Sequence, residues 1–144
     1  MIETNEDHVV LRILAFLGDL YDINADFCQL LGGILVQAGR TPRAPTSDVV
    51  CRTYQTGVWI HSWVEVIHQG EESLTWELEI GQHNEGWLID ARVARVGEFG
   101  TNTVLQFADK VVPNFAVVEL EVPPLLRNLH EAGTKILKEE LIKP

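Results

Sequence analysis

The stretch Val58-Trp59-Ile60-His61-Ser62-Trp63-Val64-Glu65-Val66 decides the fold. Its side chains alternate. Val58, Ile60, Val64 and Val66 fall on one side, and Trp59, His61, Trp63 and Glu65 on the other. A period of two marks a β-strand whose faces meet different environments.

The alternation persists downstream. Over residues 74–83, Leu74, Trp76, Leu78 and Ile80 oppose Thr75, Glu77, Glu79 and His83. Over 87–96, Trp87, Ile89, Ala91 and Val93 oppose Asp90 and Arg92. Residues 48–56, 102–112 and 115–122 also read as strands, the last two joined through Pro113-Asn114. The strands at 58–68, 74–83 and 87–96 are separated by short connections, which favour antiparallel neighbours.

Upstream of the strands the apolar period becomes 3.6. Val10, Ile13, Leu14, Leu17, Leu20, Tyr21, Phe27, Leu31, Ile34, Leu35 and Ala38 predict a helix over 7–38. Asn5 or Asp7 is suited to cap its start and Gly39 its end. Asp22-Ile23-Asn24 is a place where it would divide, yet the apolar phase survives there, so one long helix is expected. Residues 40–47, with two prolines, form a linker. At the other end, Pro123-Pro124 suits a first helical turn. Leu125, Leu126, Leu129, Ala132, Ile136, Leu137 and Leu141 then give a C-terminal helix. The expected fold class is α+β in one domain over 1–144: a long N-terminal helix packed on a 5–6-stranded antiparallel meander sheet, with a C-terminal helix.

Register decides which side chains meet, because a slip of one residue turns a strand over. Keeping Val64 and Val66 on the face of Leu78 and Ile80 calls for an odd loop. Centred on Glu72, it pairs Val66 with Leu78, Val64 with Ile80, Glu65 with Glu79 and His61 with His83. An Asn84-Glu85 loop then brings Ile80 opposite Ile89, Leu78 opposite Ala91, Glu79 opposite Asp90 and Glu77 opposite Arg92. One face is aliphatic, with Trp76 and Trp87 in the core. The other holds two tryptophans among ionisable groups, a mixture that suits a ligand pocket or an interface with a polar rim.

That second face supplies the candidate site residues. Trp59, Trp63, His61, His83 and Arg92 are candidate binding residues. His61, Glu65, Glu79 and Asp90 are candidate acid–base groups, since clustered carboxylates raise one another's proton affinity. Two histidines and two carboxylates on adjacent strands are also metal-ligand types, but no metal or cofactor is assigned. His130, on the C-terminal helix, is expected at its margin rather than in a site.

The long helix carries Gly18, Ala25, Gly32 and Gly39 at a spacing of seven. Each interior glycine costs a helix about 1 kcal/mol against alanine, and small residues let another backbone come close. The row fits either the chain's own sheet or the same helix of a second subunit.

The 144 residues are 46% hydrophobic and 22% charged, enough for a core without a disulfide or metal staple. Cys28 and Cys51 have neither CxxC nor zinc spacing and are expected as buried, inert thiols in a reducing compartment. The acidic start is unlike a secretory signal, Arg12 and Asp19 interrupt the most apolar run, and the default expectation is a cytoplasmic address. A net charge of −10 argues against nucleic acid, and Arg40, Arg43 and Arg52 form only a local basic stretch. There is no HExxH, no GxxxxGK[ST] and no GxSxG, and Gly97-Glu98-Phe99-Gly100 reads as a turn.

A helix wrapped by a meandering sheet resembles the cystatin-like and nuclear-transport-factor-like (NTF2-like) architectures in outline. The run Trp87-Leu88-Ile89-Asp90-Ala91-Arg92-Val93 is similar to late strands of the latter. The helix–sheet–helix order also resembles secretion chaperones. None of these likenesses comes with a diagnostic motif. The functional expectation is a non-enzymatic binding domain, homodimeric, with a protein partner or a small apolar ligand. A small acid–base enzyme is the alternative.

Overall fold

The computed structural model describes residues 5–39, 44–55, 57–84 and 86–142; the side chains of 5–9 and of Gln69 lie outside the description. The elements are α1 (Asn5–Gln37), β1 (Thr46–Tyr54), β2 (Gly57–Gln69), β3 (Glu72–His83), β4 (Gly86–Gly97), β5 (Gly100–Val112) and α2 (Phe115–Leu141). The side chains on which capping by Asn5 or Asp7 would rest lie outside the description, and Arg40, Arg43 and Glu85 lie outside the described residues.

The strands form one antiparallel meander in the order β1-β2-β3-β4-β5. Both helices lie on its aliphatic face, α1 over β1 and β2, α2 over β3, β4 and β5, and they touch each other. Between helices and sheet, Leu20, Leu31, Ile60, Val64, Leu78, Ile80, Ile89, Val93 and Leu129 are completely buried. Burying such side chains contributes about 1.5–3 kcal/mol each.

In α1, Ile13, Phe16, Leu20, Asn24, Phe27, Leu31 and Leu35 recur at three and four and are all buried. The helix is continuous through Asp22-Ile23-Asn24. Asn24 is no cap: at 1% exposure it donates its Nδ2 to Ser62 Oγ of β2 at 2.8 Å.

The expected strand at 115–122 is instead the first two turns of α2. The β-branched residues there suggest extension, but Phe115, Val118, Val122 and Leu126 already keep the helical spacing and are buried. Asn114 caps the start, its Oδ1 accepting from the Val117 amide at 3.1 Å. Pro123 and Pro124 therefore fall inside the helix. Pro124 lacks the amide that would serve the Leu120 carbonyl. Both residues are exposed, so water can serve it.

The β2–β3 register also differs from the expectation. Val66 pairs with Leu74, Val64 with Trp76, Glu65 with Thr75 and His61 with Glu79. Gln69 closes on Glu72 through a tight turn with Gly70 at φ 66, a left-handed conformation that glycine adopts without strain. An irregularity between Val66 and Gln69 restores the parity that an odd loop was meant to supply. The faces are as expected, but the pairing moves by four residues. From β3 onward the expected register holds: Glu79 opposes Asp90, Glu77 opposes Arg92 and Ile80 opposes Ile89. Trp76 and Trp87 are core residues.

The second sheet face and the interhelical groove

The sheet face away from the helices is built from alternate residues of every strand. On β2 these are Trp59, His61, Trp63 and Glu65, all half-buried. The His61 ring stands between two indoles, 5.5 Å from Trp59 and 4.9 Å from Trp63, tilted about 40° to each, at 39° and 42°. Spacing of two along a strand puts three rings on one face, and strand twist tilts them.

Glu77 of β3 is the electrostatic centre. Arg92 of β4 donates Nε to its Oε2 at 2.9 Å. His61 Nε2 lies 3.6 Å from Glu77 Oε1 and 4.0 Å from Glu79 Oε1, beyond good hydrogen-bond length but within ion-pair range. First His61 and then Arg92 hold the Glu77 carboxyl below its ordinary range, against the opposing effect of burial. Arg92 also reaches Thr103 Oγ1. Asp90, opposite Glu79 on one side and Asp109 on the other, accepts from Gln106 Nε2 at 2.5 Å. A connected row of polar groups therefore crosses the sheet from the indoles to β5.

The structure brings Trp59, His61, Trp63, Glu79 and Arg92 together with Glu77, with Asp90 beside them. It does not place Glu65 or His83 with them. Glu65 lies four residues along β2 from His61, about 13 Å at strand rise, opposite Thr75. His83 is at the exposed end of β3, opposite Gly86. The four-residue change in pairing takes Glu79 from Glu65 to His61 and leaves His83 without His61 opposite it. The sequence pairs Glu77 with Arg92 but does not mark it as a site residue, because its position between Arg92 and His61 depends on the β2 register. Among the described residues, no group of three or more His, Cys, Asp or Glu is arranged to hold a metal ion.

A second concavity lies on the other side of the molecule, between the helices. Ile23, Asp26, Phe27 and Leu30 of α1 and Arg127, His130, Glu131, Thr134 and Lys138 of α2 line a groove of ≈ 460 Å³. His130, expected at a helix margin, is 5% exposed and stacks flat on Phe27, centroids 3.9 Å apart. Phe27 in turn meets Trp76 edge-on at 5.1 Å. Burial lowers the His130 pKa to about 3, so the ring is neutral. Its helical spacing from Leu126 and Gly133 was the signal for its burial.

Farther along α2, Glu140 bonds His68 Nε2 at 2.7 Å and pairs with Arg95, fastening the helix end to the sheet. Cys28 is half-buried and burial raises its thiol pKa, whereas Cys51 is exposed rather than buried as expected. Among the described residues no helix is long and apolar enough to cross a membrane. No protein-family model, curated protein or solved structure matches this chain.

Proposed function

We propose that the chain is a non-enzymatic interaction domain that works as a homodimer and recognises a protein partner, in an inhibitor, immunity or chaperone role, through its second sheet face. The observation that carries this is the Trp59–His61–Trp63 run on a face that neither helix covers, continuous with the Arg92–Glu77 pair. Indoles flanked by an arginine are the residue types that dominate interface energies. The acid–base alternative is less well supported, because Gln106 occupies Asp90 and Glu65 stands apart. A small apolar ligand is the second reading, favoured by the groove over Phe27 and His130.

Comparing wild type with Trp59→Ser/Trp63→Ser as bait for binding proteins tests the proposal. A partner held by wild type, lost from the double variant and kept by the helix-surface variant Leu120→Ser supports it. Equal retention by all three refutes it. A partner lost instead by Leu30→Ser, in the groove, favours the second reading.

A further inference from the structure

We infer that two copies of the chain join through β1, antiparallel about a dyad at Val50, with the exposed flanks of their α1 helices packed across the same axis. This deepens the homodimer reading and rests on it.

The strand edge comes first. β1 and β5 are the two edges of the sheet. β5 has two register irregularities and carries Asp109 and Lys110, features that discourage pairing with another chain. β1 runs through nine pairs with β2 without a shift. Val49 donates its amide to the Asp48 carboxylate at 2.8 Å, so that amide is directed away from β2. Hydrogen-bonding direction alternates along an antiparallel strand, so the backbone groups of Ser47, Val49, Cys51 and Thr53 line the free edge.

The sequence of that edge is complementary to itself. With β1 antiparallel to its copy and Val50 opposite Val50, Asp48 falls opposite Arg52, and Arg52 opposite Asp48. Val49 meets Cys51, both with outward-directed backbone groups, so the ladder closes. Moving the dyad to Val49 or Cys51 keeps the ladder but opposes neither charge with its counterpart. Charge complementarity therefore selects Val50. Asp48 would exchange the local Val49 amide for a guanidinium.

The helix layer fits the same axis. α2 occupies the β3 side of α1, so the opposite flank of α1 looks outward past β1. That flank bears Val10, Leu14 and Tyr21, each more than half exposed, with Gly18 and Gly32 between and beyond them. A Cβ built on Gly18 or Gly32 meets nothing within 4 Å. The glycines are thus not small for the sake of their own sheet. The Asn24–Ser62 bond, with Ser62 paired to Val49, sets the middle of α1 beside the dyad. A two-fold there runs the helices antiparallel and sets Val10 and Leu14 of one toward Gly32 of the other. A helix seated between β1 and β2 lies about half a strand spacing inside the edge. The two axes are then about 10 Å apart, near helix-packing distance.

Sedimentation equilibrium on the full chain tests this with wild type, Arg52→Asp, Asp48→Arg and the double swap. Both positions are exposed, and circular dichroism checks the fold. Each single reversal creates two like-charge contacts per dimer and is expected to weaken association about tenfold or more. The double swap restores both pairs and association close to wild type. A wild-type dimer indifferent to the single reversals, or not recovered by the swap, overturns this interface and leaves the homodimer reading standing. A wild-type monomer throughout the micromolar range overturns both.

Discussion

The indole of Trp76, on β3, lies against Gly133 of α2 so closely that there is no room for a Cβ at that position. This contact sets how deeply α2 sits on the sheet. Gly133→Ala is expected to destabilise by about 1–3 kcal/mol, because the core must shift to admit one methyl group. Trp76→Phe removes the colliding ring edge. In the Trp76→Phe background the same alanine costs less, as a double-mutant cycle in urea will measure.

Asn24 and Ser62 form a buried hydrogen bond between α1 and β2. Removing one partner strands the other. Asn24→Ala should therefore cost about 1–3 kcal/mol beyond its lost packing. Asn24→Leu with Ser62→Ala replaces the whole pair by apolar groups and should cost much less than either single change. Denaturant midpoints at constant slope check this.

His130 gives stability a pH dependence of known sign. Its folded pKa is about 3 against an ordinary 6.5. Between those values the unfolded chain binds a proton that the folded chain refuses, so stability falls as pH drops below 6.5. The slope approaches about 1.4 kcal/mol per pH unit at most. Full stability is present above 6.5. His130→Phe keeps a flat ring on Phe27 and should remove most of this slope, as urea unfolding from pH 7 to 4 will show.

Glu77 acts in a more acidic window. Its carboxyl is held below the ordinary value of 4.5 by His61 and Arg92, so its contribution is present above 4.5 and lost as pH falls through the folded pKa. Glu77→Gln should lower stability by about 1 kcal/mol at neutral pH, with the difference from wild type vanishing in strong acid. Thermal unfolding at paired pH values measures it.

Much of this architecture was legible from periodicity. Alternation at Val58–Val66 and Leu74–Ile80 identifies strands and their faces, because those faces differ in burial. It does not identify partners along the strand: any even displacement conserves the face, and Gly70 with the irregularity beyond Val66 chose one four residues away. His61 and Glu79 are therefore readable as site residues, but their direct pairing, and Glu77 beside them, are not. Over residues 115–122 the β-branched residues point to a strand and outweigh a short helical spacing. Only the Asn114 cap and the burial of Val118 and Val122 against the sheet decide it. The row from Gly18 to Gly32 was legible, but not its direction. Which flank of α1 faces outward depends on where α2 lies.

Sedimentation equilibrium of the unmodified chain at micromolar concentration tests the central claim, a homodimeric interaction domain, most directly. The claim predicts a single species of twice the 16.2 kDa chain mass. A species of 16.2 kDa at every concentration would contradict it.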